Sequence, residues 1–149
     1  MKDKTPVKKQ DAWPLDISLP DENRWISFYA ISRHWKSDLI FFEDELNFLR
    51  LLIDKHLSVL SSNTTTNPVH RLVLQVSELE KEQYSLLKKI EIHILRIEAL
   101  VENSFAHNAQ EYKDDHQKLE TEFAAFVKKY RTVKDQVFRM TESVIRSKK

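Results

Sequence analysis

The sequence contains no glycine and no cysteine, and only four of its 149 residues are proline. Without glycine, the chain lacks the Gly-rich loops that hold phosphate groups, the nucleophile elbows of hydrolases and the tightest β-hairpin turns. Without cysteine, it forms no disulfide bond, no thiolate zinc site and no cysteine nucleophile. These absences argue against a many-turned β protein and exclude several common kinds of enzyme site.

The sequence also lacks a strong net charge and long apolar runs. The formal net charge is +1, which gives no field for attracting nucleic acid or a membrane surface. No stretch approaches the roughly 18–20 apolar residues of a membrane span. The first ten residues are basic and polar, and no apolar segment of a secretory signal follows them. We therefore expect a cytoplasmic protein whose partner is neither nucleic acid nor membrane.

Residues 1–20 differ from the rest of the chain because Pro6, Pro14 and Pro20 interrupt any helix there. The first half of this segment is rich in lysine and predicts a flexible basic tail. The second half predicts an extended arm with one apolar edge, because apolar residues alternate with other types. The apolar positions of the arm are Trp13, Leu15, Ile17 and Leu19. Residues 21–149 are expected to form one folded domain.

This domain contains three segments in which apolar residues recur every three and four positions, and we call these positions the seam. In the first segment the seam is Trp25, Phe28, Ser32, Trp35, Leu39, Phe42, Leu46, Leu49, Ile53, His56 and Leu60. In the second it is Leu72, Val76, Leu79, Gln83, Leu86, Ile90, His93, Ile97, Leu100 and Ser104. In the third it is Tyr112, His116, Leu119, Phe123, Phe126, Tyr130, Val133, Val137, Met140 and Val144.

Three heptad series, each of ten positions when the first is counted from Phe28, predict three long helices that pack along their length, at about 24–60, 69–104 and 109–146. The breaks between them, around 61–68 and 103–108, are short and mostly polar. Short connections make consecutive helices antiparallel. We therefore predict an all-α, up-down-up antiparallel three-helix bundle of coiled-coil-like helices.

Charged residues beside the seam suggest how the helices align. Opposite charges in flanking positions set the register of packed helices, although each exposed pair contributes only about 0–1 kcal/mol. One register satisfies all three interfaces. Its pairs are Asp38–Arg96 and Glu45–Lys89 between the first two helices, Glu80–Lys134 between the last two, and Lys36–Glu122 and Glu43–Lys129 between the outer two.

The seam histidines allow two interpretations. Polar residues spread one or two to a layer are typical of positions that set register, and this is the preferred one. A neutral buried histidine would then destabilise the bundle in acid. The alternative is a di-metal carboxylate site, for which His93, Asp38 and Glu122 are the best candidate ligands. The Glu-x-x-His motif of such bundles is absent, so no cofactor is predicted.

The first helix carries more apolar side chains than its seam requires. Ile40, Phe41, Phe48 and Leu51 lie outside the seam and predict an apolar outer face. Three occupants are open: the arm with Trp13, a second copy of the chain in a possible homodimer, or a helix of another protein. No residue stands in a nucleophile context, so we predict a non-enzymatic helical bundle that acts by protein–protein interaction or self-association. A metal-binding bundle is the alternative.

Overall fold

A computed structural model of the protein describes residues 21–57, 67–102 and 109–147. Three long helices make up this part of the chain: α1, Asp21–Leu52; α2, Pro68–Glu102; and α3, Ala109–Ser147. They pack against one another as an all-α three-helix bundle, which confirms the predicted fold class.

Two sequence predictions fall partly outside these residues. The basic tail and the arm, which together form residues 1–20, are not among the described residues, and neither are the seam positions Leu60 and Ser104. Within the described ranges, no helix combines the length and the apolar character needed to cross a lipid bilayer.

The seam of each helix forms the core of the bundle. Every described seam position of α2, from Leu72 to Leu100, is buried. The seam of α3 is buried from His116 to Val137, apart from Phe123, which is only partly covered. The heptad pattern thus predicts correctly which face of these helices packs inward, because an apolar residue every three or four positions follows the helical turn.

The seam of α1 changes phase near its end. Ile53–Leu57 is a π-helical turn, in which one more residue fits into the turn than in an α-helix. As a result Leu57 is fully buried, whereas the seam residue His56 is only partly buried. The strict heptad continuation through His56 is therefore wrong at this point.

The axial register of α2 also differs from the prediction, by one heptad. The predicted layers place His93 beside Phe123, but His93 is hydrogen-bonded to His116, seven residues earlier on α3. The shift brings the start of α1 beside the end of α2, where Trp25 and Phe28 form a buried cluster with Ile97 and Leu100. Burying each large aromatic side chain contributes about 1.5–3 kcal/mol, more than an exposed ion pair, so apolar burial decides the register.

The basic flank of α2 faces α3 rather than α1. Arg96 forms an ion pair with Asp115 at 3.2 Å, and Lys89 forms one with Glu122 at 3.1 Å. Both partners lie on α3. The incorrect predictions for this flank are Asp38–Arg96 and Glu45–Lys89.

The two flanks of α1 also face the opposite neighbours from those predicted. Glu45 accepts a hydrogen bond of 2.6 Å from the hydroxyl of Tyr130 and lies 3.7 Å from the ammonium group of Lys134, so this flank faces α3. Lys36 on the other flank pairs with Glu91 of α2 at 3.7 Å. The remaining incorrect predictions are Glu80–Lys134, Lys36–Glu122 and Glu43–Lys129.

The strongest of the observed pairs joins Arg50 of α1 to Glu80 of α2. The guanidinium group donates to both carboxylate oxygens, at 3.1 and 2.7 Å, and to the Ser77 hydroxyl at 3.0 Å. Lys129 of α3 pairs with Glu82 of α2 at 3.2 Å. Since all three helices exchange their flanks, the bundle has the opposite hand to the one that the predicted pairs imply.

The start of α2 is stabilised by a side-chain cap. The side-chain oxygen of Asn67 accepts hydrogen bonds from the backbone N–H groups of Val69, at 2.8 Å, and His70, at 3.2 Å. Pro68 occupies the first helical position, where its missing N–H leaves no hydrogen bond unmade. Asn67 is thus the N-cap residue of α2.

We expect Asn67→Ala to lower the free energy of unfolding by about 1 kcal/mol, because two N–H groups lose their acceptor. Asn67→Asp keeps an acceptor and should retain most of the stability. Urea denaturation followed by circular dichroism measures both changes, with Asn47→Ala on the exposed side of α1 as the control. An Asn67→Ala protein as stable as the parent would contradict the cap.

Candidate functional site

Some of the exposed apolar side chains of α1 and α3 approach each other on one face of the bundle. Phe41 and Phe48 flank Glu45 at helical spacing, and Glu45 faces α3. Across the groove, Phe138 follows Lys134 by one turn, and its ring meets Phe48 edge to face with 6.4 Å between centroids. We name this face the α1–α3 strip. Its members are Phe41, Phe48, Leu51, Phe138 and Ile145.

The strip is apolar and open to solvent. The exposed fractions of its side chains are 57% for Phe41, 48% for Phe48, 65% for Leu51, 40% for Phe138 and 41% for Ile145. Isolated exposed apolar residues are normal on a protein surface, but five of them grouped along two neighbouring helices, with Phe48 against Phe138, are typical of a surface that contacts another molecule. This face is therefore the first candidate site.

Of the residues predicted for this surface, one lies outside the strip and one lies outside the described residues. Ile40 is one turn after Lys36, on the flank of α1 that faces α2, so it is exposed outside the strip. Trp13 is outside the described residues. The outer side of α2 also carries exposed apolar side chains, with Lys81 and Lys88 between its two ends: Leu74, Tyr84, Ile92 and Leu95.

The second candidate is a pair of buried histidines between α2 and α3. Nε2 of His93 lies 3.0 Å from Nδ1 of His116, and the two side chains are 2% and 0% exposed. Between neutral rings, one of these nitrogens donates and the other accepts. Among the described residues, no group hydrogen-bonds to His93 Nδ1 or His116 Nε2. A positive charge on either ring would therefore be poorly compensated.

Aromatic side chains of α1 enclose the pair from the third side. The ring of Phe28 stacks on His116 at 3.9 Å with an interplanar angle of 6°, and Trp35 stacks on it at 4.8 Å. All three helices thus meet at His116. The contact replaces water around the imidazole by apolar surface, which disfavours its charged form.

This environment changes the acidity of both rings. The pKa of His93 is lowered from 6.5 to about 4, chiefly by burial, with nearby Asp115 opposing the shift and Arg96 adding to it. The pKa of His116 is lowered to about 3, chiefly by burial and in smaller part by the adjacent His93. Both rings are consequently neutral at pH 7 in the folded protein.

Two ion pairs cross the surface above His93. The pairs Lys89–Glu122 and Arg96–Asp115 line a shallow cleft of about 230 Å³ between α2 and α3, and His93 borders this cleft from below. The arrangement joins the two helices and keeps the imidazoles apart from solvent. Protonation of either imidazole is therefore coupled to a disruption of the packing around the histidine pair.

The predicted metal ligands are engaged with other groups. His93 pairs with His116, Asp38 lies 3.7 Å from His34 one turn earlier, and Glu122 pairs with Lys89. In the three described segments, no three His, Asp or Glu side chains converge in a geometry that would hold a metal ion.

The histidine pair is the feature that sequence reasoning places incorrectly. The predicted register puts His93 and His116 in different layers, two turns apart. A rule that aligns the polar seam residues of neighbouring helices with each other would have found the pair, because a buried polar group is stable only beside a hydrogen-bonding partner.

Comparison with known proteins gives no further lead. Neither a protein-family model, nor a curated protein, nor a solved structure matches this chain. The proposals below therefore depend on the geometry of the chain itself.

The histidine pair predicts a loss of stability in weak acid. Between pH 6.5 and about 4, the unfolded chain binds protons that the folded chain excludes, so the free energy of unfolding falls as the pH falls. Between pH 7.5 and pH 5.5, the two rings together should lower the free energy of unfolding by about 2–3 kcal/mol. Urea denaturation at each pH measures this change, and equal stability at both pH values would contradict the assignment.

A matched set of variants isolates the pair. His93→Leu with His116→Phe replaces both hydrogen-bonding partners by apolar groups of similar size, which is often close to neutral for stability. We expect this double variant to fold and to lose most of the acid sensitivity. The control, His34→Gln, changes a side chain that is 76% exposed and should leave the acid sensitivity unchanged.

Proposed function

We propose that this protein is a non-enzymatic helical bundle that acts by binding another protein chain through the α1–α3 strip. The single observation that carries the proposal is a group of side chains on α1 and α3 that are apolar yet exposed although the seam already fills the core: Phe41, Phe48, Leu51, Phe138 and Ile145. A helix laid along the groove between α1 and α3 would cover this face.

The shape of the strip supports a helical partner. The exposed residues of α1 extend over eleven positions, from Phe41 to Leu51, which correspond to about 15 Å along the helix. The strip is narrow and straight because it follows two parallel helices. Aromatic anchors such as Phe48 and Phe138 are typical of the centre of a protein interface.

As part of the same proposal we keep the cytoplasm as the compartment, on the sequence grounds given above. A chain without cysteine has no thiol chemistry that requires an oxidising compartment. The proposed partner is a protein, and the weak net charge gives no reason to prefer nucleic acid.

We expect the double variant Phe41→Gln/Phe48→Gln to weaken association at least about tenfold, because the two half-exposed rings lose their apolar contact with the partner. Its helicity should stay near that of the parent protein, since glutamine has good helix propensity. Self-association is measured by light scattering after size exclusion. Binding of other proteins is measured by affinity capture from the cells that produce the protein.

A matched pair of single variants gives the control. Leu51→Gln and Leu95→Gln remove leucines that are equally exposed, at 65% and 66%, but only Leu51 belongs to the strip. We expect the first to reduce association and the second to leave it unchanged. If the double variant retains the mass and the captured proteins of the parent, the proposed function is wrong.

A further inference from the structure

Each helix of the bundle contributes one polar residue to the seam at the level of the histidine pair. These residues are Ser32 of α1, His93 of α2 and His116 of α3, and their side chains are 0%, 2% and 0% exposed. The seam residues before and after Ser32 are Phe28 and Trp35, and both of these rings stack on His116. The three polar residues therefore lie side by side, and we name them the polar layer.

The polar layer divides the apolar core into two clusters. On one side is the long cluster, with eighteen buried residues among those described, which begins at Trp35 on α1. On the other side, toward Asp21, is the short cluster of Trp25, Phe28, Ile97 and Leu100. Partly buried Tyr29 packs against both clusters. Because a polar residue interrupts the seam of every helix between the clusters, apolar contact couples them only weakly.

The polar layer is stable only while both imidazoles are neutral. One hydrogen bond of 3.0 Å joins the two rings. Nδ1 of His93, Nε2 of His116 and the hydroxyl of Ser32 have no hydrogen-bond partner in the segments that the structure describes. A proton added to either ring would create a buried cation with an N–H group that lacks an acceptor, which is strongly unfavourable.

The surrounding groups offer little compensation for such a proton. Three carboxylates near the layer are already paired with Lys36, Lys89 and Arg96. Burial raises the pKa of the Glu120 carboxyl, so this single group opposes the two histidines as the pH falls. The titratable and charged groups around the layer come from all three helices: Arg24, Tyr29 and Lys36 on α1, Lys89, Glu91 and Arg96 on α2, and Tyr112, Asp115, Lys118, Glu120 and Glu122 on α3.

We infer that the polar layer is an acid-operated release point, at which proton uptake by the histidine pair lets the Asp21 end of the bundle open while the long cluster stays folded. The opening separates the start of α1 from the end of α2 and exposes the apolar side chains of the short cluster. It breaks fewer contacts than global unfolding does, since four buried residues are released instead of the whole core. The α1–α3 strip takes no part in it.

Two isoleucines of α2 provide matched probes on either side of His93. Ile90 in the long cluster and Ile97 in the short cluster are both fully buried and lie one heptad apart. Ile90→Cys and Ile97→Cys each introduce the only thiol of the full chain. A pyridyl disulfide labels thiols at neutral and at weakly acid pH. The labelling rate relative to that of the urea-unfolded protein at the same pH gives the fraction of molecules open at each position.

At pH 5.5 we expect Ile97→Cys to be open at least about tenfold more often than Ile90→Cys, because the short cluster opens alone. Between pH 7.5 and 5.5 the open fraction at Ile97→Cys should rise about a hundredfold, since each of the two histidines contributes about tenfold. The rise should disappear when His93→Leu and His116→Phe are added to the same protein.

Equal labelling of the two thiols at pH 5.5 would show that the bundle opens only as a whole, and would overturn the inference. So would a preference for Ile97→Cys that does not change with pH, or one that keeps its pH dependence without the histidines. Amide hydrogen exchange of the parent protein, corrected for the intrinsic effect of pH, repeats the comparison without substitutions. At pH 5.5 the amides near Ile97 should be less protected than those near Ile90, and equal protection contradicts the inference. None of these results bears on the proposed function, which depends on the strip.

Discussion

Each helix of the bundle hides one apolar seam, and the seam of α1 carries the bulkiest side chains. Trp25, Phe28 and Trp35 are almost fully buried, and the first two pack against the end of α2. Burial of such residues is worth more than any single ion pair at the surface. The length over which the helices overlap therefore follows from covering these rings. The flanking charges form whichever pairs this overlap allows.

The sequence is sufficient to predict the helices and their inward faces, because helical periodicity and apolar burial act locally. It is insufficient to predict the hand of the bundle, that is, which flank of each helix faces which neighbour. Both flanks of α1 carry acidic residues, so Glu45 is compatible with Lys89 of α2 and with Lys134 of α3. Each choice changes the energy by about 0–1 kcal/mol, too little to identify the neighbour from charge alone.

The hand determines the candidate site as well as the fold. In the predicted arrangement, Phe41 and Phe48 border α2, and Phe138 of α3 borders a different groove. The observed hand places Phe48 against Phe138 and unites the outer apolar residues of α1 and α3 on one face. Sequence reasoning identifies the exposed side chains of α1 correctly. It misses their joint face with α3, because that face is a property of the packing.

The buried histidines have a different role from the exposed strip. His93 and His116 join α2 to α3 and stack under Phe28 of α1, at one end of the bundle. Phe48 and Phe138 lie several turns away, toward the opposite end. The acid sensitivity of the fold and the proposed association thus involve separate residues, and we expect that each can be changed without the other.

The hand of the bundle can be measured directly by cross-linking two introduced cysteines, because the chain has no cysteine of its own. Two double-cysteine proteins, Glu45→Cys/Lys134→Cys and Glu45→Cys/Lys89→Cys, are treated with a short bis-maleimide and analysed by mass spectrometry. The observed hand, with Glu45 beside Lys134, predicts an intramolecular cross-link in the first protein and none in the second. A cross-link in the second protein and none in the first would contradict it.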